Sequence, residues 1–292
     1  MNKNRLTTLA LVALIILNAV FAGLVYSNYR KNNYYSDENI SDLCEVLAES
    51  NIILDKDIFP KKKVVLPAYE VSFTDKELTD AVKLFTGADA VYGEDGITSK
   101  TAGGTYIFKK DFSFVYTAND YVPAEYEEVQ NDGYAPTRAA VAFVDDYREE
   151  QASRGQKTPE FTYETEIAAV YENGVVRAVV REYADGTATN NYYEAIILNG
   201  ELMYASGRIT LISPSKEYTA KCFDLTSILI KEKQYFKSYG GGRKFTVLSI
   251  NYVYDVCFGV VGTAYLIPSC EIVYENGLSH TYDLVSGELI YQ

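Results

Sequence analysis

The stretch CEIVYENGLSHTYDLVSGELIY, residues 270–291, contains the chain's single histidine, ten residues after a cysteine. It reads either as a Cys–His nucleophile pair or as a β-hairpin. Asn276-Gly277 lies between two alternating apolar runs, which favours the hairpin, because a two-residue type I′ turn needs positive φ at both central positions. Such a turn sets Glu275 opposite Leu278, Tyr274 opposite Ser279 and Val273 opposite His280. Facing residues share a side of the sheet and successive residues alternate. His280 is then expected beside Glu271, Val273 and Tyr282, with Cys270 on the other face beside Ile272 and Asp283. A nucleophile and its base need hydrogen-bond reach, and this register denies it.

Similar turn dipeptides punctuate the chain upstream: Asp95-Gly96, Asn173-Gly174, Asp185-Gly186 and Asn199-Gly200. The run FTYETEIAAVY (161–171) alternates, with Phe161, Tyr163, Ile167, Ala169 and Tyr171 facing one way and Glu164 and Glu166 the other. Helical spacing appears at Ile40, Leu43, Cys44 and Leu47. It recurs at Leu78, Ala81, Val82 and Phe85, where Thr74 and Glu77 form a capping box. A third helix is predicted after Pro136-Thr137, with Ala140, Phe143, Val144 and Tyr147 as its stripe. A fourth is predicted from Ser213-Pro214 to Phe236. The expected fold class is α+β: repeated units of one helix followed by an antiparallel meander, each helix covering its sheet. The expected boundary is at 131–137, giving domains 37–135 and 136–292, the second divisible into 136–212 and 213–292.

Composition supports β structure: 27 Tyr, 13 Phe, no Trp and 48% hydrophobic residues in 292. Residues 1–30 contain three basic side chains and no acid, leaving 24 basic against 40 acidic in the remainder, a charge of −16. A body that acidic repels phosphate backbones, so no nucleic-acid partner is expected. There is no C-x-x-C among Cys44, Cys222, Cys257 and Cys270. Cys44 falls on the first apolar stripe and Cys222 on another, Tyr218, Cys222, Leu225, Leu229, which reads as buried free thiols. A Cys257–Cys270 disulfide is the alternative.

Leu6–Tyr26 has no charged side chain over 21 residues, the length of a membrane-spanning helix. Lys3 and Arg5 precede it, which favours an inside N-terminus. The reading is a cytoplasmic tail (1–5), a transmembrane helix (6–26), a polar tether (27–36) and an extracellular body at the cell membrane. A signal peptide cleaved near Val20-Phe21-Ala22 is the competing reading. Asn18, Ala19, Ala22, Gly23 and Ser27 share one helix face, a candidate partner-binding stripe.

The usual nucleophile and metal signatures are absent from the sequence, while its 40 acids leave open a further reading, a wall-directed hydrolase using two carboxylates. A single histidine supports no HExxH zinc helix or histidine metal cluster, and there is no GxSxG elbow. The run YGGGRKFT (239–246) lacks P-loop spacing and reads as a turn. No catalytic residue, cofactor or metal is expected, and the protein is not expected to be an enzyme.

Two blocks carry a family likeness. TTLALVALIILNAVFAGLVYSNY, followed by LAESNIIL and FPKKKVVLPAYEVSF, resembles YycI. HTYDLVSGELIY is similar to the strand–turn end of YycI and of PepSY-type modules, with Asp283, Gly287 and Glu288 at the turn. YycI and its relative YycH are membrane-anchored regulators of a sensor histidine kinase in Gram-positive bacteria. The resemblance implies a non-catalytic, single-pass regulator of a two-component kinase controlling cell-envelope homeostasis. Its partners would be that kinase and a sister regulator, in a homo- or hetero-oligomer. The alternative is a PepSY-like extracellular binding or inhibitory module for a peptidase or envelope ligand.

Overall fold

The computed structural model describes residues 3–123, 128–129, 138–153, 159–171, 174–219, 221–260 and 262–291. Its helices are α1 (Lys3–Asn33), α2 (Asp37–Ala48), α3 (Asp75–Thr86), α4 (Ala142–Ser153) and α5 (Leu225–Tyr239). The first eight strands are β1 (Ile52–Ile53), β2 (Ala68–Ser72), β3 (Ala90–Gly93), β4 (Gly96–Lys100), β5 (Gly104–Phe108), β6 (Ser113–Ala118), β7 (Glu128–Val129) and β8 (Phe161–Tyr171). The rest are β9 (Val175–Ala184), β10 (Thr187–Leu198), β11 (Glu201–Arg208), β12 (Lys216–Tyr218), β13 (Phe245–Phe258), β14 (Thr263–Tyr274), β15 (Ser279–Asp283) and β16 (Leu289–Tyr291).

Local turn chemistry behaves as the sequence suggests at two hairpins. Asp185-Gly186 joins β9 to β10 with φ of 48° and 74°, and Asn199-Gly200 joins β10 to β11 with 52° and 84°. Both have the paired positive φ of a type I′ turn. Helix α3 begins at its predicted capping box: Glu77 N donates to Thr74 Oγ1 at 3.2 Å and Thr74 N to Glu77 Oε2 at 2.7 Å. It buries Leu78, Val82 and Phe85.

Long-range pairing departs from the expected fold class. The strands do not close into consecutive helix-plus-meander units. They join one large mixed sheet in the order β12-β2-β14-β13-β10-β11-β6-β5-β4-β3, with β9, β8 and β7 continuing from β10 and β15 and β16 from β14. Strand β6 pairs with β11, far along the chain, and β14 pairs with β2. Turn dipeptides specify hairpins but not which strand edges meet, so repetition of local units misdescribes the architecture. The fourth helix is also shorter than expected. Residues 216–218 form an edge strand on β2, and Asp224 caps α5 by accepting from Thr226 N at 2.9 Å.

Two apolar cores hold the layers together. One packs α3 and α4, through Val82, Phe85, Val144 and Tyr147, on β5, β6, β9 and β10. The other packs α2 and α5, through Leu43, Leu47, Ile228 and Phe236, on β13, β14 and β15. Ala140, Val144 and Tyr147 are buried as the third stripe requires. Pro136-Thr137, the 131–137 boundary, Asn173 and the side chain of Phe143 lie outside the described residues.

The membrane expectation is overturned. Among the described residues, no helix is long and apolar enough to cross a membrane. The helix does not end with the apolar run: α1 continues through Ser27, Asn28, Arg30, Lys31, Asn32 and Asn33, the stretch read as a tether. The transmembrane span at 6–26 is withdrawn on that finding. With it go the cell-membrane location, the cytoplasmic tail and the extracellular placement of the body.

Candidate interaction surface and the buried polar clusters

The 270–291 hairpin forms, but one residue out of the expected register. Gly277 alone takes positive φ, at 81°, in a three-residue loop where Tyr274 N donates to Leu278 O at 2.8 Å. Val273 therefore faces Ser279, Ile272 faces His280 and Cys270 faces Tyr282. A one-residue slip turns every side chain of a strand to the other face. Cys270, Ile272, Tyr274, His280 and Tyr282 now share the core side. Glu275 N donates to Thr246 O at 3.0 Å, so the first loop residue continues the pairing with the neighbouring strand.

This face surrounds a buried acid. Glu232 of α5 accepts hydrogen bonds from the hydroxyls of Tyr274 and Tyr282, and its Oε1 lies 2.7 Å from His280 Nδ1. The rings of Tyr235 and Phe236 pack against His280 at 4.8 and 5.4 Å. Burial, and then the Glu232 charge, push the Cys270 thiol well above the usual range. A fully buried, unionised thiol is inert, so the shared face does not revive a nucleophile pair. All four cysteines are free, and Cys257 faces Tyr265 rather than Cys270.

A second acid, Glu182 of β9, is equally enclosed. It accepts from Thr210 N and Thr210 Oγ1, both at 2.7 Å, and from Asn191 Nδ2 at 3.1 Å, with Arg148 of α4 at 3.8 Å. Helix α4 is tied to the sheet by Arg148, which donates to the Tyr163 hydroxyl of β8 at 3.0 Å, while that hydroxyl donates to Glu182 at 3.2 Å. Both acids are fully buried, and neither lines the recesses beside Tyr116, Tyr26, Leu84 or Tyr252. Among the described residues, no group of three or more His, Cys, Asp or Glu is placed to hold a metal.

Helix α1 has the opposite character. Leu17, Val20, Phe21, Leu24 and Val25 are all exposed, Phe21 at 66%. Asn18, Ala19, Ala22, Gly23 and Ser27 lie on this helix, and all are exposed. A Cβ added at Gly23 would meet nothing within 4 Å, so the body of the protein does not cover the stripe. At the helix base the chain doubles back. Tyr35 N donates to Lys61 O at 2.9 Å and Lys63 N to Asn33 O at 2.8 Å, laying Lys61–Lys63 alongside Asn33–Tyr35 at the end of α1. A recess of about 610 Å³ opens there, lined by Tyr26, Arg30, Lys31, Tyr34 and Lys61 among others.

Comparison with known proteins adds little. No family model matches the chain, and no curated protein matches it. A crystal structure of an uncharacterized protein from Eubacterium rectale ATCC 33656 is similar over 86% of this chain and 98% of its own, at 10% identity and a TM-score of 0.45. A likeness that distant carries no functional argument.

The sequence stripe on α1 named five small or polar positions and passed over the large apolar residues beside them. Glu232 was missed too. Its signal was legible as an acid at i+7 on the stripe Leu225, Ile228, Leu229 and Phe236, a place where an exposed charge does not belong.

Proposed function

We propose that this protein is a non-catalytic regulator that works by binding another protein, with α1 as its docking element. The occupant is an apolar helix of the partner, packed along α1. One observation carries the reading: a helix 31 residues long leaves its apolar side chains uncovered from Leu17 to Tyr26. A helix that is apolar on most sides is ordinarily buried against something, and a contiguous exposed apolar surface marks an interaction site. The polar clusters support the same reading, because the buried acids are engaged in hydrogen bonds within the fold. The resemblance of residues 7–29 and 280–291 to YycI makes a sensor histidine kinase the first partner to test.

The experiment is reconstitution of the purified full-length chain with sensor kinases from its host, followed by kinase autophosphorylation. The wild-type chain is expected to change the rate. The double variant Phe21→Ser, Leu24→Ser is expected to fold normally and lose the effect. Equal activity of the variant would contradict the docking role of α1. Association of both proteins with lipid vesicles alone would contradict a protein partner.

A further inference from the structure

The recess at the base of α1 is the exception to the charge of this molecule. The chain carries a net −13, yet Arg30, Lys31 and Lys61 line one recess, with Lys62 and Lys63 next along the same backbone segment. Two of the five have an ordinary structural explanation, since cations in the last turn of a helix complement its dipole. The lysine run lies outside any helix. It is brought alongside by the Tyr34–Lys62 bridge and the two flanking backbone hydrogen bonds. Setting like charges side by side is unfavourable unless something anionic comes between them.

The neighbouring acids do little to neutralise the group. Lys63 is 3.7 Å from Asp224 and lies over the Tyr35 ring at 5.1 Å, so it is committed to the body. Lys61 lies 3.8 Å from Asp37, an acid that also lines the recess, with side chains 64% and 90% exposed, and such a pair contributes little in water. Arg30, Lys31 and Lys62 have no carboxylate within ion-pair distance among the described residues. Tyr26 and Tyr34 complete the wall, each with a hydroxyl able to donate to an anion.

We infer that this recess binds a carboxylate-rich segment of the partner protein, the acidic flank of the helix that packs along α1. The inference rests on α1 being the docking helix and adds the chemistry of the segment adjoining the partner's apolar run. Apolar contact along α1 supplies area, and the recess sets direction, because only one orientation of the partner places its acids over the cations.

The test uses the full-length chain and a fluorescein-labelled peptide of twelve glutamates, read by anisotropy. Saturable binding is expected that weakens steeply with added salt. Arg30→Glu with Lys31→Glu, and separately Lys61→Glu, are each expected to reduce affinity at least tenfold while circular dichroism shows the body still folded. Phe21→Ser with Leu24→Ser is expected to leave peptide binding unchanged, which separates this site from the apolar face. Unchanged affinity in both charge variants overturns the inference, as does absence of peptide binding at low salt. Binding to anionic phospholipid vesicles without binding to the peptide overturns it as well. If the peptide binds but the apolar variant still regulates the kinase, the docking reading fails and the recess stands.

Discussion

Helices α1 and α5 use their apolar residues in opposite ways. In α5, Leu225, Ile228, Leu229 and Phe236 are buried against the sheet, and its acid Glu232 is enclosed and satisfied by Tyr274, Tyr282 and His280. In α1, Leu17, Phe21 and Leu24 stay exposed, and the first polar cluster is a group of solvent-facing cations at the helix base. Folding accounts for every apolar residue on the buried face of α5. It accounts for none of the exposed ones on α1. Residues that folding does not use are where to look for binding, while the buried polar groups are explained by stability.

Stability measurements can break that contrast. The largest effect is expected for Glu232→Ala, which strips the acceptor from two buried hydroxyls and from His280 Nδ1. A loss of about 3–5 kcal/mol in denaturant unfolding is expected, and a loss below about 1 kcal/mol would mean the cluster does not hold α5. Next comes Gly207→Ala. Gly207 has φ of 155°, and an added Cβ would lie 2.3 Å from the Tyr192 carbonyl oxygen. Thermal unfolding should register more than about 1 kcal/mol of destabilisation there.

A smaller effect concerns the edge strand β12. Glu70 accepts from Tyr218, Ser72 and Lys216, and these partners, Tyr218 first, hold its carboxyl down to about 2. Because the folded value is depressed, the stabilisation is present above the ordinary carboxylate range and is lost as pH falls towards about 2. Amide exchange at 216–218 should therefore speed up between about pH 4 and pH 2 relative to the core. Glu70→Gln should remove that dependence. Smallest of all is Phe21→Ser with Leu24→Ser, expected to shift stability by no more than about 0.5 kcal/mol. A large loss there would show that α1 belongs to the folded core and would erase the contrast with α5.

What the sequence revealed depended on the range of the interaction. The capping box at Thr74 and Glu77 and the turns at Asp185-Gly186 and Asn199-Gly200 were legible because a few adjacent residues determine them. The Asn276-Gly277 turn was recognised, but its loop length was not. A three-residue loop with Gly277 alone at positive φ is the other hairpin that an Asn-Gly sequence permits. That slip moved Cys270, His280 and Tyr282 onto one face and concealed the Glu232 cluster. The pairing of β6 with β11 and of β2 with β14 is non-local, which is why repeated units were expected where one sheet exists. On α1 the apolar run was plain. The continuation of the helix through polar residues to Asn33, and the return of Lys61–Lys63 to its base, were not, because both depend on how separate segments meet.

The most direct test of α1 as a docking helix is site-specific photocrosslinking in the native host. A photoreactive phenylalanine analogue is placed at position 21 on α1, or at exposed Leu248 on the body as control. Position 21 is predicted to yield one discrete protein adduct whose crosslinked peptide maps to an apolar helix of the partner, with position 248 giving none. Adducts to lipid alone, or the same adduct pattern from both positions, would contradict the account.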